Sequence, residues 1–401
     1  MMLPESPFFK RTCYDYSVKI TFVSNFLNHH QLPFCEAMVR LCEGQFTFVA
    51  TERIPDERKR LGYSDMNESY PFVLREYEEG GRQKAKQAML DADICLVGSC
   101  SFEHHKWLRK AKKTYFMETE RFFKGDIPWL IRFLKKIRYF SRYSLYKKNY
   151  LLCMSAYTYP DMLSFGAFRG RGFRFGYFPP MEKVEDIPSL LDAKAPNSIL
   201  WAGRFLSWKH PEFMVGLGKY LREKNIPFHI DMVGEGPEKE RIEAMIAQEN
   251  LSGYISLTGS LPAKEVREKM KSAKYFCFTS DSNEGWGAVC NEAMNSACLV
   301  IANQSIGSVP YLLRDGQNGF VYQDSFESFL ESFLRAYEVE NQLKIAINAY
   351  ETIANLWNAD VAAERFLLIA QSIFQQLPLS VFDEGPLSRE SVNCRNGRDG
   401  L

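Results

Sequence analysis

The chain has no run of about eighteen consecutive apolar residues, so no membrane-spanning helix is expected. Its first stretch, Met1 to Ser17, lacks an apolar core of the kind a secretory leader needs, which fits a cytoplasmic protein. Large net charge is absent too. Lysine plus arginine number 50 and aspartate plus glutamate 49, so bulk electrostatics give no reason to expect nucleic acid as a partner. The ten cysteines form no CxxC pair, and no His, Cys, Asp or Glu cluster has metal-ligand spacing, so no metal is expected. Cys95, Cys153, Cys277 and Cys298 sit in apolar runs, where a thiol is a small core residue in a reducing compartment. No internal repeat is visible, and no dinucleotide fingerprint is complete. Gly234-Glu235-Gly236-Pro237 lacks the third glycine, which disfavours a dehydrogenase.

What is present is an ordinary globular mix, 46% apolar and 25% charged, over 401 residues, enough for two or three domains. The charge is uneven: roughly 30 cations and 22 anions fall before residue 190, and roughly 20 and 27 after it. Apolar runs alternate with helical patterns in two series. The first holds strands at 18–23, 46–49, 94–97, 114–117 and 151–154. Gly176-Tyr177-Phe178-Pro179-Pro180 and an acidic stretch to Pro196 read as a linker. The second series has strands at 199–202, 228–233, 254–257, 275–278 and 299–302, then helices over 324–375. Pro378 to Leu401 is polar and rich in Gly, Pro and Ser, and reads as a disordered tail.

The chemistry concentrates after strand ends in the second series. Glu284-Gly285-Trp286-Gly287-Ala288 follows the strand Tyr275–Phe278 and runs into a helix that carries Glu292. A helix start offers unpaired N–H groups and partial positive charge to a phosphate, and two carboxylates can accept hydrogen bonds from sugar hydroxyls. On spacing alone the two acids could equally be solvated residues flanking a turn. Gly203-Arg204-Phe205-Leu206-Ser207-Trp208-Lys209 follows the first strand of this series. A guanidinium and an ammonium there could neutralise a diphosphate, or be two ordinary surface cations. Ile127 to Lys148 sets Leu130, Phe133, Leu134, Ile137 and Phe140 at helical spacing, with seven cations and, beyond Asp126 before it, no acid. It could be a packed helix with a solvated cationic face, or a contact with an anionic membrane surface or a lipid-phosphate acceptor. Asp91-Ala92-Asp93 matches a metal-binding DxD by letters alone.

Taken in order, Gly203-Arg204…Lys209, Val233-Gly234-Glu235-Gly236-Pro237, Leu257-Thr258-Gly259, Glu284-Gly285-Trp286-Gly287…Glu292-Ala293-Met294 and Gly307…Asp315-Gly316-Gln317-Asn318-Gly319 resemble the retaining glycosyltransferase family 4, strongly over about 198–370. The resemblance implies an α/β GT-B fold: two Rossmann-like parallel-sheet domains facing across a cleft. The domains would be an acceptor-side domain at 1–180, a linker at 181–196, a nucleotide-sugar domain at 197–355, a helix crossing back at 356–376, and the tail at 377–401. It implies that Glu284 bonds the donor sugar and that Arg204 and Lys209 meet the leaving diphosphate in place of a metal. Gly203, Gly234 and the backbone of Gly285, Trp286, Gly287 and Ala288 would approach sugar or phosphate. Glu292 would hold the ribose, and Leu261 would line the base pocket. On the acceptor side the family's histidine after strand 114–117 is missing, and His30 or Glu120 would replace it. The family's paired glycines after the first strand are replaced by Ser24 to His30.

The implied activity is metal-independent retaining transfer from a nucleotide-diphosphate sugar to a glycan or lipid-linked acceptor, in cell-surface polysaccharide or glycolipid synthesis. The protein would be cytoplasmic and peripheral on the inner face of the membrane. A nucleotide-sugar epimerase on the same fold and a catalytically silent binding subunit are the rival readings.

Overall fold

The computed structural model describes residues 18–55, 65–125 and 127–391. Seven strands form the first sheet: β1 (Ile20–Ser24), β2 (Phe46–Ala50), β3 (Val73–Arg75), β4 (Ile94–Val97), β5 (Tyr115–Thr119), β6 (Asn149–Cys153) and β7 (Gly172–Arg174). All neighbours run parallel, in the order β3-β2-β1-β4-β5-β6-β7. Six strands form the second: β8 (Ser198–Ala202), β9 (His229–Val233), β10 (Ile255–Gly259), β11 (Tyr275–Phe278), β12 (Leu299–Asn303) and β13 (Phe320–Tyr322). They are also parallel, in the order β10-β9-β8-β11-β12-β13. Two doubly wound α/β units result, as the alternating patterns predict.

The central strands β1, β4, β11 and β12 are buried at every position, as a sheet covered on both faces requires, and successive side chains enter different clusters. Phe22, Phe48, Leu96 and Phe116 join Leu200, Phe276, Val300 and Phe366 in one apolar cluster that crosses from the first sheet to the second. The alternate positions, such as Val23, Cys95 and Tyr115, or Ile199, Trp201 and Cys277, fill two separate outer clusters. The helix Ala359–Phe374 is started by the Asn358 side chain, which accepts from the Val361 N–H at 3.0 Å. It lies against the first unit: Phe366 meets Phe34 and Phe116 edge-on at 6.1 and 5.1 Å.

Three departures have local causes. β3, β7 and β13 have three residues each, too few to show a period in sequence. The stretch read as a linker contains the helix Ile187–Asp192, and Lys194 is buried, capping the helix Ala263–Ser272 through the Met270 and Ala273 carbonyls at 2.9 and 2.8 Å. Within the expected disordered tail at 377–401, residues 385–390 instead pack onto the fold. Arg389 bridges to Phe173 at the free edge of β7, Leu387 is buried, and the Glu390 carboxylate accepts a short hydrogen bond from Tyr311. An open sheet edge offers unpaired backbone groups, and a polar segment can bond them whatever its composition. Residues 392–401 lie outside the described residues.

Candidate active site

In each sheet the strand order reverses beside its first strand, between β1 and β4 and between β8 and β11. Connections leave in opposite directions there, so a crevice opens beyond the carboxyl ends of the strands. The loop 203–210 after β8 and the loop 279–288 after β11 flank the second crevice. Topology alone therefore brings Arg204, Lys209 and Glu284 to one place.

The Lys209 ammonium donates to Glu284 Oε2 at 2.5 Å, and both side chains are 14% exposed. The ammonium also lies 4.7 Å from the centre of the Trp208 ring. Ser280 Oγ donates to the same Glu284 oxygen at 2.9 Å. Oε1 has no protein partner among the described residues and keeps its acceptor capacity. Arg204 is exposed, with no side-chain partner among the described residues.

Backbone approach explains the glycines. A side chain on Gly234, at φ +142°, would lie 1.9 Å from the Gly203 carbonyl oxygen, and Gly203 N–H donates to the Val233 carbonyl. Gly287, at φ +80°, turns the chain into the helix Val289–Asn295, and a side chain there would strike the Phe278 ring. Among the described residues the N–H groups of Gly285, Trp286, Gly287 and Ala288 have no acceptor. Four consecutive free donors at the crevice are suited to an anion.

Other expected residues stand differently. Glu292 is largely buried. It is 7% exposed, Arg267 Nη1 lies 3.5 Å from it, and burial raises its pKa to about 7, with Arg267 opposing the rise. The Trp286 ring is fully buried. Its Nε1 donates to Asn291 Oδ1 at 2.9 Å, and it fills the space left by Gly176, where a side chain would meet the ring at 2.3 Å. It packs with Tyr311 and Trp357 in the joint between the units, so its ring is closed to a ligand and only its backbone is available. Leu261 is half-buried on the central apolar cluster, just before the helix Ala263–Ser272.

From the first unit, Glu120 reaches across. A side chain on Gly285 would overlap its carboxylate. Lys124 Nζ and Tyr177 OH donate to Glu120 at 2.5 and 3.3 Å. His30 stacks on His29 and lies 5.6 Å from the Tyr177 ring, so Tyr177 joins the two acceptor-side candidates. Glu118, two residues earlier in β5, is buried, and burial raises its pKa to about 8 against the hydrogen bond from Gln31. Asp93 accepts from the Lys19 N–H at 2.9 Å, at the far end of the sheet, so the DxD letters serve the fold. Among the described residues, no three His, Cys, Asp or Glu side chains group as a metal site. Sequence reading missed Ser280, Arg267 and Tyr177, whose partners are distant in the chain or lie in a loop without pattern.

Comparison with solved structures decides the architecture. The chain matches a UDP complex of Anabaena Alr3699/HepE with a TM-score of 0.63, at 13% identity, covering 89% of this chain and 98% of that one. It has the GT-B fold. A glycosyltransferase from Rickettsia africae matches similarly, with a TM-score of 0.61 and 16% identity over 89% and 98% of the two chains. Within this GT-B chain, residues 182–352 match the family model for glycosyl transferases group 1. A curated relative is the GtfA subunit of the UDP-N-acetylglucosamine–peptide N-acetylglucosaminyltransferase of Streptococcus pneumoniae. It is 24% identical over 182 residues, 43% of this chain and 34% of that protein. The chain thus aligns with about a third of that relative's length.

Proposed function

We propose that this protein moves a sugar from a nucleotide-diphosphate sugar to a glycan or lipid-linked acceptor, with retention at the anomeric carbon and without a metal. The observation that carries this is the convergence at the β8–β11 switch point of the Lys209–Glu284 pair, exposed Arg204 and the four free N–H groups of Gly285 to Ala288. The group 1 family match over 182–352 supports it, as do relatives named for UDP and UDP-sugars, which make UDP-sugars the first donors to try.

In this reading Glu284 Oε1 accepts from a hydroxyl of the donor sugar, while Lys209 and Ser280 hold the other oxygen and fix the carboxylate plane. The Lys209 ammonium has two further N–H bonds for phosphate oxygens. As the bond from the anomeric carbon to the diphosphate breaks, negative charge grows on the leaving oxygen. Arg204, Lys209 and the backbone N–H groups meet that charge without reorganising. Glu292 accepts from the ribose hydroxyls, and Leu261 covers the base. Glu120 and His30 face the acceptor, which enters from the first unit. The basic stretch 127–148 holds the protein against an anionic membrane surface on the cytoplasmic side, where cell-surface polysaccharide or glycolipid is made.

Calorimetric titration with a panel of nucleoside diphosphates and their sugars tests the donor assignment. One member should bind, and Glu292→Gln should weaken it. If none binds to the folded protein, the reading fails.

A further inference from the structure

The basic stretch folds as the helix Trp129–Tyr139 followed by a wider turn to Ser144. None of the helix is buried. Trp129, Leu130, Phe133, Leu134 and Ile137 are 52–79% exposed, a level at which apolar side chains are expected to have a cover. At about 100° per residue these side chains share one arc. Tyr139 lies on the opposite side and anchors the helix to Phe122, ring centres 4.5 Å apart. Arg132 and Lys136, one turn apart, fall between the apolar arc and the protein body. Both line a cavity of about 410 Å³ between the two units, with Arg121 on another wall.

The cavity suits a phosphate. Arg121 stacks on Tyr157 at 4.8 Å, its Nη1 points to the Ser282 carbonyl at 3.5 Å, and its buried Nε has no hydrogen-bond partner among the described residues. Arg132 rests on the Phe123 ring at 5.1 Å. Among the described residues two acids also line the cavity, and both are engaged. Asp161 accepts from the N–H groups of Phe122 and Phe123 at 3.0 Å, and Asp324 accepts from Asn303 and Ser305 at 2.9 and 2.6 Å. Ser282 lies two residues before Glu284, and Arg121 follows Glu120, so the cavity adjoins the transfer site.

We propose that this cavity holds the phosphate of a membrane-embedded lipid-phosphate acceptor, whose hydrocarbon chain lies along the apolar arc of the basic helix. The inference rests on the glycosyltransferase reading and narrows its acceptor to a phosphate-linked lipid. The ligand chemistry follows from adjacency. An apolar arc flanked by cations on both sides, Arg132 and Lys136 on one and Lys135 and Arg138 on the other, is the pattern of a helix lying in a lipid interface. A protein partner would leave those flanking cations to be matched by its own acids. The phosphate would be held at the interface with the attached hydroxyl or sugar directed toward Glu284.

The test is flotation of the full chain with phosphatidylcholine vesicles carrying either phosphatidylglycerol or phosphatidic acid at matched surface charge. The phosphate monoester should retain more protein, by roughly fivefold for each cation engaged, equivalent to about 1 kcal/mol each. The double substitution Arg132→Gln with Lys136→Gln should remove that preference. Phe133→Ser with Ile137→Ser should lose both vesicles. Glycerol phosphate in solution should compete only weakly. Nucleoside diphosphate affinity, measured beside these variants, should not change. Should the wild type bind no nucleoside diphosphate, the transfer reading fails while the lipid result stands separately. Equal retention on both vesicles, a preference that survives the double substitution, or serine variants that alter only self-association would overturn the proposal. Glycerol phosphate binding as tight as the lipid would do so too.

Discussion

At the scale of single residues, the site is a carboxylate whose two oxygens have different duties. Glu284 Oε2 is committed to Lys209 and Ser280, and Oε1 is open. Glu284→Gln should leave the fold intact and lower turnover by roughly 10²–10⁴, because a charge-assisted hydrogen bond worth about 1.5–3 kcal/mol is lost and tightens further in the transition state. Turnover of the purified variant checks this, and a wild-type rate would remove Glu284 from the reaction. Arg204→Ala should cost more in turnover than in nucleoside diphosphate affinity, since in the proposed transfer the charge it would meet is largest in the transition state. Comparing kcat with calorimetric affinity separates the two effects. That Glu284, Arg204 and Lys209 gather at one sheet edge was legible in sequence because each follows a strand end within a few residues. The burial of Trp286 and the Arg267–Glu292 contact were not. Each depends on a residue distant in the chain, Gly176 for one and the neighbouring helix Ala263–Ser272 for the other.

At the scale of elements, long strands and helices announced themselves and short ones did not. β8 and β11 are almost wholly buried apolar runs, visible as such. β3, β7 and β13 are edge or near-edge pieces fixed by their neighbours rather than by their own pattern. The basic helix was visible as amphipathic, yet periodicity could not say whether its apolar arc was covered; the structure leaves it exposed. An exposed apolar side chain contributes little to folding. Phe133→Ser with Ile137→Ser should therefore change unfolding free energy by no more than roughly 0.5 kcal/mol per site. Denaturant melts check that. A loss of several kcal/mol would mean that the arc is packed in solution.

At the scale of the molecule, two groups that titrate between pH 6 and 9 make stability pH-dependent with the same sign. Glu118 is raised by burial from its ordinary 4.5 to about 8, so the folded chain holds a proton that the unfolded chain has released between those values. Stability must then fall as pH rises through that window. His210 is raised from 6.5 to about 9 by hydrogen bonds to Asp281 and Glu212. Its contribution is complete below 6.5 and lost as pH rises through 9, which is the same direction. Unfolding free energy should therefore decline from pH 6 to pH 9, and Glu118→Gln should flatten the decline by on the order of 2 kcal/mol. Chemical denaturation at a series of pH values measures it, and a rise in stability over that range would contradict the burial argument. The doubly wound architecture was readable from alternating patterns, whereas the packing of 385–390 on β7 was not, since composition says nothing about an edge elsewhere that needs a partner.

The central claim is that the β8–β11 crevice of this GT-B chain transfers a sugar using fixed cations and backbone donors. It is tested most directly by following the anomeric protons by NMR while the protein acts on a nucleotide-diphosphate sugar and acceptor vesicles in EDTA. The account predicts that the donor signal gives way to a first product with the same anomeric configuration, with nucleoside diphosphate released and no divalent metal required. An inverted linkage, or activity that appears only when Mg²⁺ or Mn²⁺ is restored, would contradict it.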